Sequence, residues 1–460
     1  MAQPRPRRWP GVLALLTTLA VALNLRAWNL GRLSYWYDEV VTIRLARTPD
    51  VPSLLDLMGR IDATRAPLHP ILLQSVVAWF GPGEAAGRSL SVGCGVITVF
   101  LMYSIGRRAF GHRVGLWAAW LGAVSPPLVE YSREARMYAL LTMLTCGAWL
   151  RLLRFRRESG PVGQAMYAAL LVAIGYTHPL GLAMVATLGI GYLLDRRGSR
   201  LTLGRWVAIQ VIVAVALAPW VGRYLDHPPE STVGRLPIRY LLGLPIGYVG
   251  GNFATLAGCV LLVAWGLRRA DRTTSAMLMA WLALPPMALY VYSRFGHPIF
   301  GPARYTLFVG PAYLLLLANG LSRLPAPARW FFAVVGLTLA RDRLDSIVWD
   351  KEAKANWRQM GHTLSMPRGR ETTILLARPD PTNEAELETA RYYLPPWIAI
   401  RPAFEAEAGE VQPLGTGESL VVCSRGRSTA PRTRYRGREA VERREYGVDG
   451  LQMYYYYPKR

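Results

Sequence analysis

The chain has 460 residues, 52% of them hydrophobic and only 18% charged. Soluble chains carry about 25% charge, so this composition, with a mean hydropathy of +0.18, excludes an ordinary soluble globular protein and points to a polytopic membrane protein. The net charge of +23 would suggest nucleic acid in a soluble chain. Here only three of the 53 basic residues are lysine (Lys351, Lys354, Lys459), and the arginines fall in short clusters between apolar runs. That is the pattern of a membrane protein with its positive side inward, and it gives nucleic acid no place as a partner.

The first apolar run lies near residues 9–28, follows Arg5, Arg7 and Arg8, and ends without a small-residue cleavage site. It reads as a retained span rather than a cleaved signal. Directly after it comes Ser34-Tyr35-Trp36-Tyr37-Asp38-Glu39-Val40-Val41-Thr42. Two adjacent carboxylates close to a bilayer are costly unless they meet water, a metal or a partner. A solvated acidic turn among interfacial aromatics is the competing reading, since Trp and Tyr favour that depth.

A short run at residues 67–80 carries two prolines and His69, and further apolar runs follow near 88–106, 113–130, 137–153, 163–180, 180–194, 203–221, 252–267, 275–292, 305–321 and 329–340. If 67–80 lies on or dips into the membrane without crossing, the clusters Arg107/Arg108/Arg113, Arg151/Arg154/Arg156/Arg157, Arg196/Arg197/Arg200/Arg205, Arg268/Arg269/Arg272 and Arg323/Arg329 all face the side of the N-terminus. If it crossed, they would all face outward, against the positive-inside bias. The expected architecture is therefore an α-helical polytopic membrane protein of about eleven transmembrane helices. It has a long first outer loop (29–87), outer-face juxtamembrane helices, an N-terminus in the cytoplasm and a C-terminus outside it. Residues 1–340 form the membrane domain. Residues 341–460 turn polar, with strand-like runs at 372–377, 419–423 and 451–457 and a helix-like stretch at 383–393, and are expected to form a small extracytoplasmic α/β domain. Cys94, Cys146 and Cys259 lie in apolar runs and Cys423 in the polar tail, a spacing that indicates neither a disulfide framework nor a zinc site.

This topology gathers the unusual polar residues at the outer helix ends. They are Asp38, Glu39, Asp62, Arg65 and His69; Glu130, Arg133, Glu134, Arg136 and Tyr138; His178; and Arg294, His297, Arg304 and Tyr305. Arginine holds phosphate through its planar fork, and a carboxylate serves as a general base or holds a divalent cation. Acid plus arginine at a lipid–water boundary suits transfer from a lipid-linked phosphate donor. The plain alternatives are an interfacial ion-pair cluster for Arg133, Glu134 and Arg136, and structural roles for His69, His178 and His297.

Trp36-Tyr37-Asp38-Glu39 opening the first outer loop resembles the integral-membrane glycosyltransferases of GT-C type. The bacterial branch related to protein O-mannosyltransferases and the lipid A aminoarabinose transferase (glycosyltransferase family 39-like) is the nearest in pattern. The resemblance continues in order through Ala66-Pro67-Leu68, Arg88-Ser89, Gly106-Arg107-Arg108-Ala109-Phe110-Gly111, Ser125-Pro126, Glu134-Ala135-Arg136-Met137-Tyr138, Ala303-Arg304-Tyr305 and Asn356-Trp357-Arg358. A His-Pro-Pro-Leu element of that branch appears here as Arg65-Ala66-Pro67-Leu68. The resemblance implies a GT-C fold in a bacterial inner or plasma membrane. It implies inverting transfer of a sugar from a polyprenyl-phosphate donor to a protein, lipid or polysaccharide acceptor at the extracytoplasmic face. Asp38 takes the position of the catalytic base, with Glu39 supporting it and Glu134 as a second-loop acid. Arg136, Arg304 and Tyr305 are expected at the donor phosphate, and Tyr138, His69, His178 and His297 in the substrate cavity. A divalent cation (Mg or Mn), if one is used, would lie on Asp38 and Glu134. A multi-span transporter or lipid flippase is the alternative, but such proteins place ionisable residues at mid-bilayer in broken helices, whereas these spans are largely uncharged.

Overall fold

The computed structural model describes residues 9–61, 66–226, 237–249, 253–268, 270–296 and 303–349, and beyond them residues 358, 372–377, 389, 391–394, 399–402, 419–425, 434–435, 438–439, 442–446 and 451–456. The chain begins with α1 (Trp9–Ala27) and then fills the first loop with three short helices, α2 (Tyr37–Ala46), α3 (Val51–Ile61) and α4 (Leu68–Phe80). There follow α5 (Glu84–Phe110), α6 (His112–Val124), α7 (Pro126–Glu130), a 3-10 turn at Tyr131–Arg133, α8 (Tyr138–Arg154), α9 (Pro161–Thr177), α10 (Gly181–Asp195) and α11 (Leu203–Asp226). The bundle is completed by α12 (Arg239–Val249), α13 (Phe253–Leu267), α14 (Arg272–Phe295), a 3-10 segment at Ala303–Val309, α15 (Gly310–Ser322) and α16 (Ala326–Trp349).

The expected apolar runs are helical where they are described. A span needs about 20 residues. Among the described residues five stretches are long and apolar enough to cross singly: Pro10–Ala27, Glu84–Phe110, Leu203–Asp226, Arg272–Phe295 and Arg304–Ser322. The helices Pro161–Thr177, Gly181–Asp195 and Thr255–Leu267 are apolar but shorter. The 13 residues of α4 rise about 20 Å, too little to cross alone, in keeping with a helix that lies at or dips into the surface. Its last two residues, Trp79 and Phe80, are 84% and 75% exposed, as expected of side chains that meet lipid.

Local sequence explains the breaks. Arg107 and Arg108 occupy the last turn of α5, where cations offset the partial negative charge of the helix end. Gly111 at φ +103° then turns the chain straight into α6, a conformation that costs glycine nothing. The two helices lie so close that a Cβ on Gly115 would stand 2.6 Å from the Tyr103 carbonyl oxygen. Lipid offers no hydrophobic drive for helix pairing, so such close approach has to supply it by packing. The run near 113–130 is not one helix. Ser125 is extended and Pro126 starts α7, because proline cannot donate to the preceding turn. Carbonyls freed by this break are taken by Arg26 of α1, which donates to Ala123 O and Gly122 O at 3.0 Å each. In return Arg133 donates to Leu25 O, Arg26 O and Trp28 O at the end of α1.

At the bundle centre the Arg304–Ser322 stretch, which ends in α15, is almost wholly enclosed. Trp149 of α8 stacks on Trp281 of α14 with centroids 5.1 Å apart, and Trp281 Nε1 donates to Phe308 O at 2.9 Å. Tyr248 of α12 donates to Thr306 O at 2.7 Å. The 3-10 segment that carries Arg304 is thereby pinned from two sides.

Helix α16 runs on past Ala340, where the sequence turns polar, because its 341–349 turns still bury Leu344 and Val348 and pair Arg341 with Asp345 at 3.4 Å. Among the described residues beyond it, the expected strands are present as β1 (Thr372–Ala377), β3 (Ser419–Arg425) and β7 (Leu451–Tyr456), joined by β2 (Ala399–Pro402), β4 (Arg434–Tyr435), β5 (Arg438–Glu439) and β6 (Glu442–Tyr446). Five of them form one sheet in the order β2-β1-β3-β7-β6. β1 is parallel to β2 and β3, while β7 is antiparallel to β3 and β6. Of the helix-like stretch, residues 389 and 391–393 are helical and the rest lies outside the described residues.

Candidate active site

The site begins with how α2 starts. Trp36 caps the helix and its backbone N–H donates to Glu39 Oε2 at 3.3 Å, half of the reciprocal pattern by which a third-position acid satisfies an open helix end. The rest of the Glu39 carboxylate is held elsewhere. Arg88, at the start of α5, donates from Nε to Oε1 and from Nη2 to Oε2, both at 2.8 Å. The Ala135 N–H donates to Oε1 at 2.8 Å. Arg88 also donates to Leu30 O, Leu33 O and Ser34 O. Glu39 is fully buried, and these contacts tie the α1–α2 connection to α5 through Arg88 and to segment 134–137 through Ala135. Arg88 appears in the sequence as part of the Arg88-Ser89 motif, and nothing at that level pairs it with Glu39.

Asp38 points the other way and keeps 16% of its side chain exposed. Its Oδ2 lies 3.4 Å from Arg136 Nη2 and 3.9 Å from Arg304 Nη1. Arg136 Nη1 also donates to Asp38 O at 3.2 Å and Thr42 Oγ1 at 3.3 Å, and Ser91 Oγ holds the Arg136 carbonyl at 3.1 Å. Burial would lower the Arg136 guanidinium, but Asp38 and then Tyr138 outweigh it and raise it above its ordinary value. Arg304 sits over the rings of Trp36 and Tyr305 at 5.5 and 5.2 Å, within cation–π range.

Aromatic rings close the remaining side. Arg136 lies 5.8 Å from the Tyr138 ring, and Tyr138 lies 5.8 Å from His178 and 6.2 Å from Tyr305. His178, which ends α9, accepts from the Leu180 N–H through Nδ1 at 3.1 Å, so its ring orientation is fixed. Asp38, Arg136, Tyr138, His178, Arg304 and Tyr305, spread over 268 positions of sequence, thus form one contiguous cluster.

The other expected residues are placed differently. His69 is buried on α4 and its Nε2 has no hydrogen-bond partner among the described residues. Burial and then Arg136 lower its pKa to about 3, so the ring is neutral at physiological pH. Glu134 lines a separate cavity of about 330 Å³ with Leu30, Arg88, Glu130, Arg133 and Arg343. His297 lies outside the described residues. Among the described residues no group of three or more His, Cys, Asp or Glu side chains is arranged to hold a metal ion. Asp38 faces two guanidinium groups, and Glu134, the other acid expected at a cation, lines the separate cavity.

Comparison with known proteins shows which folds this helical bundle and its acid–arginine cluster are similar to. A family model for dolichyl-phosphate-mannose-protein mannosyltransferase matches residues 64–222. The structure is similar to that of ArnT from Cupriavidus metallidurans bound to undecaprenyl phosphate, at 14% identity and a TM-score of 0.59, covering 98% of each chain. It is similar to the same protein in the apo state at 15% identity and a TM-score of 0.57, covering 97% of each. The Archaeoglobus fulgidus oligosaccharyltransferase in complex with zinc and sulfate matches at 13% identity and a TM-score of 0.52, over 89% of this chain and 68% of that one. No curated protein matches the chain in sequence. The chain has the GT-C glycosyltransferase fold, the class that its ordered motifs resemble.

Proposed function

We propose that the protein transfers a sugar from a polyprenyl-phosphate donor to an acceptor at the extracytoplasmic face of the membrane, with inversion at the anomeric carbon. The observation that supports this reading is the pairing of a partly exposed carboxylate, Asp38, with two guanidinium groups, Arg136 and Arg304, at 3.4 and 3.9 Å. In the absence of donor the three charges satisfy one another. The donor phosphate then takes the guanidiniums, and Asp38 is left facing the acceptor.

In the reaction, Asp38 accepts the proton of the acceptor hydroxyl or amine. The freed lone pair attacks the anomeric carbon from the face opposite the phosphate, and the bond from that carbon to the phosphate oxygen breaks with its electron pair on the leaving oxygen. Arg136 and Arg304 stabilise the charge that develops there, the role that fixed cations fill best when they are placed before the reaction. Tyr138, His178 and Tyr305 form the wall against which the sugar lies, and a neutral His69 adds no charge to it. Glu39 and Arg88 are positioning residues, holding α2 against segment 134–137 so that Asp38 and Arg136 keep their spacing. Arg136 and Arg304 fill the cationic role. The polar segment after α16 is taken as the small extracytoplasmic domain expected from the sequence.

Binding of a polyprenyl phosphate without a sugar tests the donor assignment. Detergent-purified protein carrying Arg136→Gln with Arg304→Gln should lose retention of polyprenyl phosphate in native mass spectrometry, while Asp38→Asn should keep it. Equal retention by all three proteins would remove the two arginines from the donor site.

A further inference from the structure

The loop that leads into Asp38 is held from a second direction, by residues far beyond α16. Tyr35 is fully buried and stands two residues before α2, where its backbone N–H has no helical carbonyl to reach. A buried N–H needs a partner, and this one donates to the Tyr393 hydroxyl oxygen at 2.6 Å. The same hydroxyl donates to Glu84 Oε1 at 2.8 Å. Arg358 donates through Nε to that carboxylate oxygen and through Nη2 to Gly31 O, both at 3.0 Å. Its backbone N–H donates to Ser34 Oγ at 3.1 Å. Tyr392 donates to Pro82 O at 3.2 Å and meets the Tyr35 ring edge-on at 6.1 Å, while the Tyr35 hydroxyl donates to Gly83 O at 2.7 Å.

These contacts reach the frame of the candidate active site. Glu84 stands in the first turn of α5, where a carboxylate offsets the partial positive charge of the helix end. Arg88 follows one turn later on the same helix and donates to Ser34 O at 3.0 Å and to both oxygens of Glu39 at 2.8 Å. Ser34 is therefore gripped by two arginines, Arg88 from α5 and Arg358 from beyond the last helix of the bundle. Asp38 comes one helical turn after Ser34, so the path of residues 31–36 sets where α2 begins and where its carboxylate points. The spacings that depend on it are the 3.4 and 3.9 Å from Asp38 to Arg136 and Arg304. A misplacement of about 1 Å between reacting groups can cost on the order of 10²-fold in rate.

We infer that Tyr393 and Arg358 are positioning residues for Asp38, completing from the C-terminal part of the chain the frame that Arg88 and Glu39 begin. They act on residues 31–36 and on the start of α5, not on the substrate. The Tyr393 hydroxyl is the joint of this clamp, since it accepts from the loop and donates to α5 at once. Sugar transfer then depends on residues 358 and 391–394 as well as on the membrane helices. The effect on rate rests on the reading of Asp38 as the base; the clamp itself does not.

The test compares full-length wild type, Tyr393→Phe, Arg358→Gln and Arg358→Lys in one detergent. Tyr393→Phe keeps the ring and removes both hydrogen bonds; Arg358 is half-exposed, so its variants report even where Tyr393→Phe folds poorly. Amide hydrogen exchange, read by mass spectrometry, should quicken severalfold across residues 31–46 in Tyr393→Phe and Arg358→Gln, with α8 and α15 exchanging as in wild type. Transfer from a polyprenyl-phosphate sugar should fall roughly tenfold in kcat, with the donor KM and the retention of polyprenyl phosphate unchanged. Arg358→Lys, which keeps a cation opposite Glu84, should recover most of the rate lost in Arg358→Gln. Unchanged exchange across residues 31–46 in both variants would overturn the clamp, and that arm needs no transfer, so its failure is distinct from failure of the proposed reaction. Faster exchange at wild-type kcat, or a rise in donor KM in place of the fall in kcat, would overturn the positioning role.

Discussion

Arg88 grips Glu39 through two parallel 2.8 Å hydrogen bonds, and Glu39 in turn holds the Ala135 backbone N–H one residue before Arg136. The acid next to the expected base is thus a buried strut. Removing one partner strands the other charge in a dry environment, which costs about 3–5 kcal/mol. Arg88→Met should therefore lower stability by that order and Glu39→Gln by less, since glutamine still accepts from Ala135. The double variant should recover part of the loss, because a buried pair replaced as a pair costs little. Thermal unfolding of the four proteins in one detergent checks this. Additive losses would mean that the two side chains act independently.

The two guanidiniums facing Asp38 should differ from lysine in kind. Lysine keeps the charge but loses the planar fork. Arg304→Ala is expected to reduce kcat on the order of 10²–10³, the usual effect of removing one preorganised donor to a developing oxyanion. Arg304→Lys should fall between that value and wild type. Steady-state transfer at saturating donor gives the comparison. Wild-type kcat in Arg304→Ala would take this residue out of the reaction.

Much of this cluster is legible from sequence, and the reason is topological. Asp38, Arg136, Tyr138, His178, Arg304 and Tyr305 all stand where an apolar run ends on the same side, so one inference about crossing direction places them together. What sequence could not supply is pairing. Glu39 and Arg88 are 49 residues apart, and several other arginines share that face. The break between α6 and α7 hides inside a continuous apolar run, because Ser125-Pro126 interrupts hydrogen bonding without interrupting hydrophobicity. Residues 341–349 look like the start of a polar segment, yet Leu344 and Val348 keep the helix packed.

His69 gives a pH dependence with a defined sign. Its folded pKa is lowered to about 3, first by burial and then by Arg136, while the unfolded chain titrates near 6.5. Between those values the unfolded state binds the proton, so the stability tied to a neutral ring is complete above about pH 6.5 and is lost as pH falls. At pH 5 the loss is on the order of 2 kcal/mol. His69→Gln should flatten the fall in melting temperature between pH 7 and pH 5. A variant that tracks wild type over this range would contradict the burial account.

Metal removal should leave the activity intact. The carboxylates of the acidic pair already face protein cations, Asp38 at 3.4 and 3.9 Å and Glu39 at 2.8 Å. Transfer measured after EDTA treatment should equal the untreated rate. A loss of more than about tenfold, restored by Mg or Mn, would transfer the charge-stabilising role from arginine to a metal.

The central claim is that Asp38 is the base in sugar transfer from a lipid-phosphate donor. Wild type and Asp38→Asn, reconstituted at equal levels in vesicles with radiolabelled polyprenyl-phosphate sugar and envelope extract as acceptor, measure it directly. The account predicts transfer by wild type and a fall of roughly 10²–10⁴-fold in the variant, the range of general-base catalysis, with donor binding retained. Transfer by Asp38→Asn at the wild-type rate would contradict it.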